Sequence, residues 1–201
     1  MPIKLNVPYS QKDEVKSLGG SWFANEKTWV IPDMVSDINP FMKWLPSKEG
    51  FIVKSPYIVA KAVRTCWKCH NQTPLIALGA KSFYALDYDR PHTPKWTKWD
   101  YPILFMDIVT LEEEVIKVLQ NEYPFFQQIY SNTAKEKYWA NGCSYCKALQ
   151  GDYFNFMEPN APFGPGSEDD ARRIKVGYLH LKYDYYLSSG LAQNEMYDQV
   201  F

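Results

Sequence analysis

Two C-x-x-C pairs constrain this chain more than any other feature of its sequence. Cys66-Trp67-Lys68-Cys69 and Cys143-Ser144-Tyr145-Cys146 are separated by 73 residues, and they account for all four cysteines. A C-x-x-C turn lets both thiolates reach one ion at about 2.3 Å, and two such knuckles complete a tetrahedron. The pairing predicts one zinc ion held by Cys66, Cys69, Cys143 and Cys146. With every coordination position taken by thiolate, none is open to water or substrate, so the ion is expected to be structural. Three readings compete. Cys69 is followed by His70, which gives the C-x-x-C-H string of a covalent haem site. Either pair could be a redox couple, or all four could be unligated buried thiols.

The compartment bears on that choice. Met1-Pro2-Ile3-Lys4 leads into a strand-like segment and not an apolar signal. No stretch reaches the ~20 apolar residues of a membrane span. A cytoplasmic location with no membrane partner is the expectation, and there paired cysteines favour metal over disulfide. Haem attachment of the C-x-x-C-H kind requires export.

The formal charge of −1 hides an asymmetry. Residues 1–64 carry nine basic and six acidic side chains, residues 65–147 nine of each, and residues 148–201 four and eight. A duplex-binding domain concentrates a basic face, and only the N-terminal end here is mildly basic.

The first 45 residues read as a compact β-α-β-β unit. Ile3, Leu5 and Val7 alternate as in a strand. Ser10 is a candidate N-cap with Asp13 three residues on, and Val15 and Leu18 share one face of a helix ended by Gly19-Gly20. Trp22 and Thr28–Ile31 suggest a hairpin turned at Asn25-Glu26, and residues 34–45 suggest a second short helix that buries Met34, Ile38, Phe41 and Trp44. Leu5-Asn6-Val7-Pro8-Tyr9, Lys12-Asp13-Glu14, Lys16, Leu18-Gly19, Trp22, Lys27, Trp29 and Pro32 together resemble the bacterial domain of unknown function 5710. That module occurs at the ends of larger proteins, among them plasmid primases and topoisomerase-like proteins. Gly20 stands where the family commonly has alanine. The resemblance covers about a fifth of the chain and brings no catalytic residues with it.

Beyond a polar link at 46–50, residues 51–201 read as a second, mostly antiparallel sheet domain, so the whole is expected to be α+β. Strands are expected at Tyr57–Ala60, Thr73–Ala80, Phe83–Leu86, Ile103–Met106, Phe125–Tyr130 and Lys137–Ala140. Thr110 is read as the cap of a helix, with Glu113 at its third position and Leu111, Val115, Val118 and Leu119 on one face. Asp87 to Asp100, rich in Pro and Trp, is read as a loop. Ile174 to Tyr183 is read as one strand of about ten residues, bulged where its alternation changes phase. The surroundings of the cysteines (Thr73-Pro74, Asn141-Gly142-Cys143 and Gln150-Gly151-Asp152) are similar to zinc-ribbon segments of uncharacterised bacterial proteins, which implies one shared metal site and no named activity.

No hydrolase, phosphate-loop or dinucleotide string is present. The first functional expectation is therefore a non-enzymatic zinc-stabilised protein that binds another protein, such as a toxin or effector, as an immunity or antitoxin-type inhibitor. Trp96, Trp99 and Tyr101 are its candidate surface, because tryptophans in a polar loop either fold back or contact a partner. The alternative is a nucleic-acid-binding accessory protein using the zinc ribbon together with Lys12, Lys16, Trp22, Lys27 and Trp29 of the basic N-terminal unit, in which rings stack bases and scattered lysines meet phosphates. A hydrolase built on Asp87, Asp89 and His92 is a weaker third possibility.

Overall fold

The computed structural model describes residues 1–47, 49–87 and 94–201. The chain is α+β, mostly antiparallel sheet with few helices, and its larger sheet is curled. Three short strands, β1 (Ile3–Leu5), β2 (Ser21–Phe23) and β3 (Thr28–Ile31), form a small sheet in the order β1-β3-β2. Helix α1 (Lys12–Ser17) connects β1 to β2 and buries Val15, while Leu18 stays exposed. It starts from Gln11 after a 3-10 turn at Tyr9–Gln11, so Ser10 does not cap it. Gly19 ends it at φ +93, a conformation that costs glycine little. The second expected helix is shorter than its apolar spacing suggested. Only Asn39–Trp44 coils, as 3-10 turns with Pro40 at the start. Ile38, Phe41 and Trp44 are buried there, but Met34 is 90% exposed.

The remaining strands build an eleven-stranded sheet. Its continuous path links β13 (Lys175–Leu179), β5 (Tyr57–Thr65), β6 (Gln72–Ala80), β9 (Ile103–Leu111), β14 (Tyr185–Ala192), β4 (Phe51–Val53), β7 (Phe83–Asp87) and β8 (Lys95–Trp99). Strand β9 also pairs β11 (Glu136–Gly142), which carries β10 (Phe126–Ser131) and β12 (Leu149–Gln150). Alternation explains why the middle strands are apolar on both faces. Tyr57, Val59, Ile76 and Leu78 enter one core with Val115 and Leu119 of helix α2 (Glu113–Glu122). Ile58, Ala60, Leu75 and Ala77 point into another core, with Phe156, Phe163 and Tyr197. Each Val, Ile, Leu or Phe among them contributes about 1.5–3 kcal/mol on burial.

A third core joins Ile3, Leu5, Ile31 and Phe41 of the small sheet region to Ile52, Tyr84 and Trp96 of the larger sheet. Lys54 reinforces that junction by bonding Asp33 at 2.9 Å and the buried Asp184 at 3.0 Å. Burial pushes the Asp184 carboxyl above the usual range, and the Ser55 N–H and Lys54 oppose that rise. Among the described residues, no helix is long and apolar enough to cross a membrane.

Three expectations for this region change. Residues 95–99 form a strand paired with β7, although the surrounding composition reads as a loop. β9 runs through Thr110, so α2 begins after Glu112 without a side-chain cap. The strand expected at 174–183 is shorter: β13 ends at Leu179, residues 180–184 are a connection, and the next strand, β14, begins at Tyr185.

Candidate metal centre

Each cysteine pair sits on a turn whose backbone is closed in the same way. The Cys66 N–H donates to the Asn71 carbonyl at 2.9 Å and the His70 N–H to the Cys66 carbonyl at 3.0 Å. In the second pair, the Cys143 N–H donates to Ala148 at 2.8 Å and the Lys147 N–H to Cys143 at 2.9 Å. His70 and Lys147 occupy the left-handed region at φ 60 and φ 62, immediately after the second cysteine of each turn. The first turn closes the β5–β6 hairpin, and the second joins β11 to β12.

The four sulfurs lie within 4.8 Å of one another and could hold a metal ion. Cys66 and Cys146 are 3.7 Å apart across the two turns, as are Cys69 and Cys143. A tetrahedron of sulfurs bonded at about 2.3 Å has edges of about 3.8 Å, so the donor set fits such an ion. The electrostatics agree. Burial opposes the Cys143 thiolate, but the backbone N–H groups of Cys146 and Tyr145 outweigh it and bring the thiol down to about 6. The Ala148 N–H favours the Cys146 thiolate, yet burial and the three other sulfurs push that thiol up to about 11. Four thiolates this close cannot all ionise without a cation among them.

Polar residues around the cysteines lock the two knuckles together. Asn141 bonds both the N–H and the carbonyl of Ile76 at 2.9 Å, which ties β11 to β6. Thr73 Oγ1 accepts from Ser144 N at 3.0 Å, and Gln150 Nε2 donates to Cys66 Sγ at 3.4 Å. Asp152, 5% exposed, accepts from the Asp107 N–H at 2.8 Å and holds that residue at φ 50. Burial pushes the Asp152 carboxyl up to about 7, and the nearby Asp107 carboxylate adds to the effect. These residues flank the cysteines in the sequence, but their roles depend on cross-strand register, which spacing alone does not reveal.

The expected surface residues divide. Trp96 folds back into the core at 3% exposure, because β8 turns its ring inward and Asn39 bonds its backbone on both sides. It offers no contact surface. Trp99 remains 42% exposed beside Tyr101, whose hydroxyl accepts from Gln193 at 3.1 Å. Asp87 ends β7, while Asp89 and His92 lie outside the described residues.

Lys12, Lys16, Trp22, Lys27 and Trp29 come together. They line one groove of about 790 Å³ with Tyr9 and Asp13. Trp22 and Trp29 face each other across β2 and β3 with ring centroids 5.7 Å apart. The Lys12 ammonium lies 4.1 Å from the Tyr9 ring centroid, and Tyr9 is 82% exposed. Glu26, which would offset the lysines, is engaged instead by Lys182 and Tyr183.

Residues 3–46 match DUF5710, a domain of unknown function. The same region is similar to two proteins of Escherichia coli, each described as DNA primase TraC. One is 50% identical over 46 residues, which is 23% of this chain and 4% of that protein. The other is 48% identical over 40 residues, 20% of this chain and 3% of its relative. The chain therefore spans only a small fraction of the relatives it matches. No solved structure matches significantly.

Proposed function

We propose that the protein is a non-enzymatic nucleic-acid-binding accessory protein. Its N-terminal groove takes single strands, and one zinc ion on Cys66, Cys69, Cys143 and Cys146 holds the larger sheet as a scaffold. The observation that carries this reading is the convergence of Lys12, Lys16, Trp22, Lys27 and Trp29 on one groove with the exposed ring of Tyr9. Stacking on rings is tolerant of base identity, and lysines beside the rings meet phosphates. A groove between three lysines and one aspartate suits an unpaired strand better than a duplex, which requires a broader basic face. The two relatives that contain a similar segment are described as DNA primase TraC, which agrees with it.

Zinc is the ion the donor set favours, because four thiolates select zinc or iron and leave no open position for chemistry. The protein-binding reading, with a toxin or effector as partner, is second. It retains Trp99 and Tyr101 but not Trp96, which is buried in the core.

A gel-shift titration of an unstructured 20-nucleotide DNA against the purified chain tests the proposal. Binding at low salt, lost steeply as salt rises and weakened by Trp22→Ala or by Lys12→Gln with Lys16→Gln, supports it. No binding at low salt ends it.

A further inference from the structure

The end of the molecule that carries the knuckles has a feature the metal does not explain. Trp67 and Tyr145, one on each knuckle, are 63% and 66% exposed. Trp67 is not loosely placed. Its Nε1 donates to the Leu149 carbonyl at 2.8 Å, across the gap between the two turns, and this fixes the ring plane toward solvent. A fixed, exposed indole holds a ring face available for stacking, and Tyr145 on the other knuckle offers a second.

The surrounding charge narrows the ligand that such rings would take. Residues 50–86 and 137–151, which contain both knuckles, include no aspartate or glutamate but carry seven Lys or Arg side chains, five in the first stretch and two in the second. Lys54 is committed to Asp33 and Asp184, and Lys61 and Lys81 lie over Tyr123 and Tyr178. At the knuckles themselves, Lys68, His70 and Lys147 are exposed, and the Lys147 ammonium donates to the Ser144 carbonyl at 3.0 Å. Four thiolates around a divalent ion leave a charge of −2, which the two lysines offset. That neutralisation gives no reason for the aromatic planes. Exposed rings with cations close to them in the chain, in two stretches of sequence free of carboxylates, match the bases and phosphates of an unpaired strand.

We infer that the knuckle tips form a second contact for single-stranded nucleic acid, with Trp67 and Tyr145 stacking bases and Lys68 and Lys147 meeting phosphates. The inference rests on the nucleic-acid reading of the N-terminal groove and extends it to a second site. Both sites belong to one chain, so a strand that reaches both binds more tightly than one confined to either.

The test is fluorescence anisotropy of labelled 30-nucleotide oligothymidine and oligouridine on the full metal-loaded chain, with metal content measured for every variant. Trp67→Leu combined with Tyr145→Leu is expected to weaken binding at least tenfold, and Trp67→Phe, which keeps a ring, by less than threefold. A preference between the two oligomers identifies DNA or RNA as the natural strand. If groove variants weaken binding while the knuckle variants bind as tightly as the parent, the inference is wrong and the groove reading stands. If only knuckle variants weaken it, the inference stands and the groove reading fails. No binding by the parent chain overturns both. Should the leucine variants lose metal, ultraviolet crosslinking of the parent chain to a bromouracil-substituted strand decides the matter. Crosslinks at Trp67 or Tyr145 support the second contact, and crosslinks confined to residues 9–29 overturn it.

Discussion

Cys66 and Cys146 are 80 positions apart in the chain, yet their sulfurs lie 3.7 Å from each other. Cys69 and Cys143 repeat that distance, so the β5–β6 hairpin and the β11–β12 turn meet at one point. An ion held there would act as a crosslink over the 73-residue insertion. The chain-entropy relation for a loop of that length gives about 4 kcal/mol of stabilisation through the unfolded state.

Cys143→Ser therefore acts on folding and not on one activity. It removes a buried ligand and leaves three thiolates with an incomplete site. The expected result is a loss of about 4 kcal/mol or more, seen as a much lower urea midpoint with the sheet signal of circular dichroism lost. A variant as stable as the parent would show that the sulfurs do not hold the fold.

Asp152 makes the fold sensitive to pH. Its carboxyl is raised to about 7 from an ordinary value of 3.8, chiefly by burial. Between these values the folded state keeps a proton that the unfolded state has released. Stability from this group is complete below about pH 4, falls as pH rises toward 7, and levels off above that. Asp152→Asn keeps an oxygen to accept the Asp107 N–H and removes the titration. Denaturant melts at pH 5 and pH 8 should show the variant gaining on the parent by about 2–4 kcal/mol over that interval. Parallel pH profiles would contradict the assignment.

Gly20 is a packing residue. A Cβ built there would lie 2.3 Å from Val15 Cγ1 and 2.9 Å from the Val15 carbonyl oxygen. The glycine is therefore the packing partner of a fully buried valine. Gly20→Ala is expected to cost about 1–3 kcal/mol by overpacking. Adding Val15→Ala should recover part of that loss, a coupling that a double-mutant cycle measures directly. Strict additivity would show that the two sites do not touch.

Much of this molecule was legible before its structure. The β5 and β6 strands announced themselves by apolar runs with β-branched residues, β10 and β11 by their aromatic residues, and the two knuckles by cysteine arithmetic. What escaped did so for physical reasons. The segment Lys95-Trp96-Thr97-Lys98-Trp99 alternates as a strand, but the prolines before it pointed to a loop, and only pairing with β7 decides the matter. Strand β14 includes Ser188, Ser189 and Gly190, which break its apolar pattern where the register with β9 shifts. Thr110 and Glu113 have the spacing of a helix cap, yet Thr110 pairs with Ser188, and sheet pairing outweighs the local signal. Of the site residues, the groove set was legible as aromatic and basic positions in one small unit. The exposed planes of Trp67 and Tyr145 were not, because C-x-x-C spacing does not say which intervening side chains face solvent.

The most direct test of the account is native mass spectrometry of the chain purified without chelator, followed by elemental analysis. The expected result is one zinc ion per chain, bound with the release of thiol protons and lost together with the folded charge-state distribution when a strong chelator is added. A folded chain with no metal, with haem, or with disulfides in place of thiolates would contradict it.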